Sequence, residues 1–249
     1  MTDNVRELRD IKDFVRACEL FDDIWHFEQD NRPVTPDLMK ALSHAGGYVA
    51  GAFDGDVLVG ASVGFLAEGR ALHSHITGAR AGHGVGHALK LHQKAWALER
   101  GLERISWTYD PLVCRNAHFN LAKLGARPVQ YLPGFYGVMG DSINQGDDSD
   151  RLLTVWELID PPACSAEPAE VLLDTEGRVT GSEAPTVLVA VPQDVERLRR
   201  TDLAAARAWR LAVREVLGGL LEGGGEVVGF RDRRYYVVRR GTAASSARV

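Results

Sequence analysis

The sequence feature that most constrains the fold is a strand that runs through a glycine-rich turn directly into a helix. Residues 71–77 are predicted to form a strand, and the two-residue period of a strand places Leu72, Ser74 and Ile76 on one face. The opposite face is expected to carry His73, His75 and Thr77. Glycines then recur as far as a helical pattern over residues 85–100. Because glycine leaves backbone N–H groups open and a helix N-terminus attracts anions, the segment predicts a pyrophosphate-binding site.

Three classes of cofactor-binding segment combine a strand, a glycine-rich turn and a helix in this way. Two of them can be compared with this sequence residue by residue. A Walker loop requires Gly-Lys-Ser/Thr, which the segment lacks. A dinucleotide fingerprint requires its third glycine where Leu89 stands, and an acidic residue at the end of the next strand, a place that Asp110 fills loosely. The dinucleotide alternative therefore stays open on the residues alone.

The remaining patterns predict an alternating α/β chain in two parts. Before the turn we expect two helices, over residues 11–27 and 36–42, with Thr35 as the N-cap of the second, and then strands over 48–53 and 57–66. After it we expect a strand, a helix and two strands, over 104–109, 116–124, 128–132 and 152–159. Beyond a proline-rich linker at 161–168 the predicted elements are strands over 170–173 and 186–191, one long helix over 194–221, and a hairpin over 227–239. The expected domains are 1–160 and 161–249, with a frayed tail at 241–249.

Bulk properties exclude several classes of function. A net charge of −5 gives no electrostatic footprint for nucleic acid, and no apolar run approaches the roughly 20 residues that span a bilayer. The first residues lack the basic and apolar regions of a signal peptide, and the cysteines, three and widely spaced, indicate reduced thiols. We therefore expect a cytoplasmic protein without nucleic-acid or membrane partners, as a monomer or homodimer.

Taken with its surroundings, the glycine segment resembles the pyrophosphate loop of the GNAT acetyltransferase superfamily, Arg/Gln-x-x-Gly-x-Gly/Ala. Gly84 and Gly86 match its two glycines, and the order of elements over residues 10–160 fits. Within the superfamily the chain looks closest to a branch with an extra C-terminal region, on the matching stretches 72–78, 107–112, 123–126 and 146–152. Two positions depart from the usual loop, since Ala81 replaces its Arg/Gln and His83 its basic residue.

The resemblance implies a fold, an activity and a cofactor. The implied fold is α/β, a mixed and mostly antiparallel sheet flanked by helices, with a smaller α+β C-terminal region packed on it. The implied activity is transfer of an acyl group, acetyl by preference, from acetyl-CoA or another acyl-CoA to a primary amine of a small molecule. The expected cofactor-binding residues are Ile76, Gly78, Arg80, Gly82, His83, Gly84, Val85, Gly86, His87 and Asn116.

Acyl transfer to an amine requires a base, an oxyanion donor and an acid for the thiolate. We expect His75 as the base, with His73 second, and a backbone N–H within residues 76–78 as the oxyanion donor. Tyr136 is the first candidate acid, and Asp110 is placed to orient an amine or hold a base. The further candidate acids are His118 and Tyr131. The tyrosine that many members of the superfamily use as the acid is replaced by Leu121.

Each of these residues also has a structural interpretation. His73 and His75 are of a kind often hydrogen-bonded in a core, and Asn116 fits a first-turn or capping role as well as a contact to the pantetheine arm. His83 and His87 stand four apart, but no further ligands follow at a recognisable spacing, so no metal site is expected. The alternative function is a degenerate GNAT-fold protein that binds CoA or another ligand without acyl transfer, or does other chemistry in the same cleft.

The arginine-rich C-terminal helix has two interpretations. The default is a solvated face with ion pairs to Glu196 and Glu215. The second, from the resemblance, is that Arg210 and Arg214 bind a carboxylate or close the substrate cleft.

Overall fold

The computed structural model describes residues 4–27, 32–80, 84–137, 146–160 and 168–241, and the chain divides into two compact units. Unit 1 comprises Met1–Trp107 and Glu157–Asp160, and unit 2 comprises Thr108–Trp156 and Pro161–Val249. The predicted linker and tail lie outside the described residues, except for their edge residues Pro168 and Gly241.

Unit 1 is a sheet with helices before and after its central strands. Its strands follow the order β1-β2-β3-β4-β5, antiparallel except for the parallel pair β4 and β5. The strands are β1 (Val5–Glu7), β2 (Tyr48–Asp54), β3 (Val57–Ala67), β4 (Ala71–Ala79) and β5 (Arg104–Tyr109), which crosses into unit 2. The helices are α1 (Ile11–Trp25), α2 (Pro36–His44) and α3 (Val85–Glu99), the last of which connects the parallel pair.

Local sequence explains the first two helices. The periodicity of α1 predicted an apolar stripe, and Phe14, Cys18 and Phe21 of that stripe are buried, whereas Ile11 and Val15 are exposed. Thr35 caps α2, since its Oγ1 accepts a hydrogen bond from the Leu38 N–H at 3.2 Å. The predicted cap is therefore confirmed.

Unit 2 contains an antiparallel pair of strands and a four-stranded sheet. The pair is β6 (Arg127–Leu132) and β7 (Arg151–Glu157), whose last residue belongs to unit 1. The sheet has the order β10-β11-β9-β8, with only β8 and β9 parallel. Its strands are β8 (Glu170–Leu173), β9 (Thr186–Ala190), β10 (Glu226–Arg231) and β11 (Tyr235–Arg239). Helix α4 (Cys114–Ala117) continues as a π-helix over His118–Lys123.

The C-terminal helical segment differs from the single long helix that the sequence predicted. It breaks at Asp202, between α5 (Val195–Thr201) and α6 (Leu203–Val213), and then continues through a π-helical stretch, Arg214–Gly218, into α7 (Gly219–Glu222). The Asp202 carboxylate accepts a hydrogen bond from the Ala205 N–H at 2.9 Å. An aspartate that caps a new helix competes with continuing the old one, which is why the periodicity alone was misleading.

Element by element, the fold is the predicted mixed α/β class with mostly antiparallel strands, flanking helices and a smaller α+β C-terminal region. Within the described residues, no helix is long and apolar enough to cross a membrane. The same residues contain no cluster of three or more His, Cys, Asp or Glu side chains arranged for a metal ion.

Candidate functional site

The parallel strands β4 and β5 are paired only at their beginnings. The ladder joins Ala71 to Arg104, Leu72 to Ile105 and His73 to Ser106. In the described part of unit 1 the edge of β4 after His73 forms no further ladder pair with β5, whereas its other edge pairs with β3 as far as Ala79. We call the point where the two strands part, just after His73 and Ser106, the fork. An unpaired strand edge presents N–H and C=O groups to whatever lies beside it.

A β-bulge in β4 lies at the fork. Consecutive residues of β3, Val63 and Gly64, pair with Ile76 and Ser74, so His75 is an extra residue in β4. The bulge overturns the predicted division of faces. Thr77 lies on the face of Ser74, with their hydroxyl oxygens 3.4 Å apart, while Ile76 packs against the apolar core that includes α1.

The two predicted catalytic histidines lie together at this bulge. His75 Nε2 donates a hydrogen bond to the Pro33 carbonyl at 3.2 Å, because a carbonyl only accepts, so in the neutral ring Nδ1 carries the free lone pair. His73 Nδ1 lies 3.2 Å from Ser106 Oγ, across the last pair of the ladder. Burial, then His75, then Lys90 lower the pKa of His73, so this ring is neutral at pH 7.

Under the other face of the fork lies a buried cluster of polar side chains. Lys90 Nζ of α3 donates hydrogen bonds to Ser74 Oγ at 2.9 Å and to Gln93 Oε1 at 3.2 Å. It also lies 4.0 Å from the centroid of the Trp107 ring. The Gln93 amide reaches Ser62 Oγ at 3.3 Å, which completes the cluster. All five side chains belong to buried residues.

The environment of Lys90 is unusual for a cation. Among the described residues no carboxylate lies within 4.0 Å of Nζ, and burial lowers the pKa of Lys90 to about 7. Our sequence analysis missed this residue. A signal was present, since Lys90 lies on the same helical stripe as the buried Leu89, Gln93 and Trp96.

Among the described residues, no side chain caps the N-terminus of α3. Gly84 is its N-cap with φ 72°, a left-handed conformation that favours glycine. A Cβ added to Gly84 or Gly86 would meet no heavy atom within 4 Å. The first N–H groups of a helix have no acceptor inside it, so this end can receive an anion.

Other predicted cofactor-binding residues surround this end. Val85 packs against β3, where a Cβ on Gly60 would lie 2.6 Å from Val85 Cγ1. Arg80 is ion-paired with Asp23 at 3.1 Å, and both side chains are more than half exposed. His87 lies in the first turn of α3. Gly82 and His83, like Ala81, lie outside the described residues.

Gly78 is required for packing, whatever else it does. A Cβ there would lie 2.6 Å from Cη2 of Trp25, the last residue of α1. Helix α1 can therefore approach β4 closely only because position 78 has no side chain.

The remaining predicted site residues belong to unit 2. Tyr136 is half exposed, with its hydroxyl 3.4 Å from Thr108 Oγ1. Asn116 lies inside the short helix α4, which begins two residues earlier, so it is a first-turn residue rather than a cap. Leu121 is buried and has no proton to donate. The hydroxyl of Tyr131 donates to Asp150 at 2.7 Å, and burial together with that carboxylate raises the pKa of Tyr131.

A buried ion cluster in unit 2, formed by Asp110, Asp147, Arg199 and Arg210, is the second polar feature. Arg210 donates to both oxygens of Asp110, at 2.9 and 3.0 Å, and to Asp147 at 2.8 Å. Arg199 donates to Asp110 at 2.6 Å and lies 3.1 Å from Asp147. Burial alone would raise the pKa of Asp110, but Arg210 and Arg199 outweigh it and hold the pKa well below its usual range.

The ion cluster corrects the default interpretation of the arginine-rich segment. Arg199 and Arg210 are buried, not on a solvated face, and Glu196 pairs with Arg115 at 2.6 Å. Their partners are aspartates far away in sequence, which helical periodicity cannot show. Arg214 is held by Asp148 and Asp150, each at 2.7 Å. The contacts of Asp110 favour a structural part for it, since both its oxygens are already engaged.

Comparison with solved structures identifies the fold. The aminoglycoside 6'-acetyltransferase type Ii is 19% identical with a TM-score of 0.50, over 64% of this chain and 99% of that one. A probable acetyltransferase from Staphylococcus epidermidis ATCC 12228 is 17% identical with a TM-score of 0.52, over 62% and 98%. The ribosomal-protein-S18-alanine N-acetyltransferase from Escherichia coli is 10% identical with a TM-score of 0.50, over 62% and 92%. No protein-family model and no curated protein gives a significant match to the sequence.

These similarities show that the chain has the fold of the GNAT N-acetyltransferases, as the glycine segment and the order of elements predicted. At such identities they show the fold alone, so the activity is argued from the chain's own residues.

Proposed function

We propose that this protein binds acetyl-CoA, or another acyl-CoA, and transfers the acyl group to a primary amine of a small molecule. The proposal rests on two observations in unit 1. The edge of β4 beyond the fork forms no ladder pair with β5 among the described residues, and α3 begins at a glycine N-cap with no side-chain cap. A strand edge suits the amide groups of pantetheine, and a helix N-terminus suits a pyrophosphate.

The residues present fit the anionic part of CoA. The amides of Gly84, Val85 and Gly86 would hold the pyrophosphate, together with Gly82 and His83, because the glycines carry no side chains that would stand in front of the helix. The His87 N–H already donates to the Gly84 carbonyl at 3.0 Å, so His87 would contribute through its side chain. The ion pair between Arg80 and Asp23 is exposed to solvent and therefore weak. The guanidinium of Arg80 can exchange this partner for a phosphate. Asn116 is proposed to contact the pantetheine arm.

The residues at the bulge would then handle the protons of the reaction. When bound, an acyl-CoA supplies an activated acyl carbonyl. We assign His75 as the base that takes the proton of the attacking amine, since its Nε2 is held by Pro33 and Nδ1 is left to accept. His73 is the second candidate. A backbone N–H within residues 76–78 is the proposed oxyanion donor, and Tyr136 remains a candidate acid.

A second candidate function is a protein that binds CoA without acyl transfer. The specific observation that favours it is Leu121, buried where the superfamily's acid is usually found. Thiol release from acetyl-CoA in the presence of a pool of primary amines distinguishes the two, because only a transferase releases thiol in proportion to amine consumed.

Replacing Gly84 with valine is expected to weaken CoA binding by at least about tenfold, since a branched side chain would stand in front of the helix N-terminus. The measurement is titration calorimetry with CoA. Gly46→Val is the matched control, because Gly46 also has a left-handed backbone, φ 85°, and open space around its Cβ. Both variants place valine at a positive φ. Equal CoA affinity in the two would contradict the assigned site, and the absence of heat with wild type would rule out the proposal.

A further inference from the structure

Lys90 lies at the apex of the fork. Its Nζ contacts Ser74, the first β4 residue after the last ladder pair, and the ring of Trp107, the first β5 residue after that pair. The amino group is therefore positioned where the two strands separate, on the sheet face opposite the core that receives Ile76.

A buried cation without a carboxylate is costly to a fold, so its presence needs an explanation. Ser74 and Gln93 accept hydrogen bonds and Trp107 offers a π-face, but none of these groups carries a negative charge. The pocket thus holds an amino group among neutral groups, an arrangement in which a negatively charged partner beside Nζ would stabilise the ammonium form.

We propose that Lys90 faces the sulfur of bound CoA and protonates the thiolate as it leaves. This inference rests on the proposed function. It assigns to Lys90 the role of acid, which Leu121 cannot fill because it has no proton to donate. A pantetheine arm that lies along the open edge of β4, with its pyrophosphate at α3, would place its thioester end at the fork. Lys90 is the charged group at that point.

The proton and electron balance of the step is complete. As the amine nitrogen bonds to the acyl carbon, the carbon–sulfur bond breaks and its electron pair leaves on sulfur. Lys90 Nζ gives that sulfur a proton and becomes a neutral amine, and CoA departs as the thiol. The proton that the attacking amine loses passes to His75 and, through solvent, restores the ammonium, so no other reactant is consumed.

The acid–base behaviour of the pocket supports this role. Burial lowers the pKa of Lys90 to about 7, so it can give up a proton and regain it near neutral pH. A thiolate beside it would raise that pKa again by favouring the charged form. His73 is the titratable neighbour on β4 whose own pKa the Lys90 charge lowers, while the contacts from α3, β3 and β5 are uncharged side chains.

The test is an ultraviolet titration of the thiol of CoA bound to the full-length protein, which needs no acceptor amine. With wild type we expect the thiol pKa of bound CoA to lie at least about one unit below that of free CoA, a tenfold change in its ionisation constant. In Lys90→Met the shift should vanish while CoA still binds, since methionine fills the pocket without a charge. Lys94→Met, which removes a charge one turn further along α3, is the matched control and should keep the wild-type shift.

Three results overturn the inference in distinguishable ways. A thiol pKa in wild type equal to that of free CoA shows that no Lys90 ammonium acts on the sulfur, and the proposed proton donor is then wrong. A shift that persists in Lys90→Met assigns it to another group. Absence of CoA binding by wild type ends the proposed function itself, and this inference with it. If Lys90→Met does not fold, Lys90→Gln is titrated in its place and is expected to lose the shift.

Discussion

Replacing Arg210 with methionine is expected to lower the free energy of unfolding of unit 2 by about 3–5 kcal/mol. Arg210 is about 1% exposed and donates to both oxygens of Asp110 as well as to Asp147. The substitution removes this guanidinium from two buried carboxylates, which keep their contacts to Arg199 but lose part of their neutralising charge. Urea unfolding followed by circular dichroism gives the difference.

The matched control for Arg210 lies on the same helix. Arg207 is exposed and donates only to the Gly146 carbonyl at 3.1 Å, so Arg207→Met should change stability by no more than about 0.5 kcal/mol. Equal effects of the two substitutions would show that the ion cluster adds no more to stability than an exposed arginine does.

Acidification should also lower the free energy of unfolding, as Arg210→Met does. Because the pKa of Asp110 is depressed in the folded state, its contribution is present above about pH 4 and is lost progressively as the pH falls below that value.

A fragment ending at Asp160 is expected to be insoluble or strongly destabilised. Unit 2 is built from both sides of that point, since it combines Thr108–Trp156 with Pro161–Val249. Truncation removes Arg199, Arg210 and Arg214, which form ion pairs with Asp110, Asp147 and Asp150. It also removes Tyr236, whose hydroxyl donates to the Pro111 carbonyl at 2.8 Å. Buried carboxylates without partners cost several kcal/mol each.

The 1–160 fragment is compared with the full-length protein in solubility, in circular dichroism and in affinity for CoA. A soluble, folded 1–160 fragment with the CoA affinity of the full-length protein would refute the expectation. It would support the predicted domains 1–160 and 161–249 as independent folding units.

Local signals made most of the fold predictable. The Thr35 cap and the start of α3 after Gly84 each depend on a few neighbouring residues, and both predictions agree with the structure. The bulge at His75 escaped prediction because alternation on one strand carries no information about the register of its partner. The bulge places Thr77, in place of Ile76, on the same face as Ser74 next to the fork.

The charged interior was the part least visible in the sequence. Asp110 and Arg210 are 100 residues apart in the chain, and their pairing follows from tertiary packing alone. Lys90 differs, because its place on the apolar stripe of α3 was visible. A lysine on a buried stripe is normally explained by its long side chain reaching solvent, so only the structure shows that its amino group ends beneath Trp107.

The most direct test of the central claim is hydrogen exchange, followed by mass spectrometry, with and without saturating acetyl-CoA. We expect slower exchange in peptides that cover residues 74–80 and 84–90, because the cofactor would occupy the open edge of β4 and the first amides of α3. Peptides from β9 (Thr186–Ala190) should exchange at an unchanged rate. If acetyl-CoA leaves the exchange of residues 74–90 unaltered, the site is not where an acyl-CoA binds and the account is wrong.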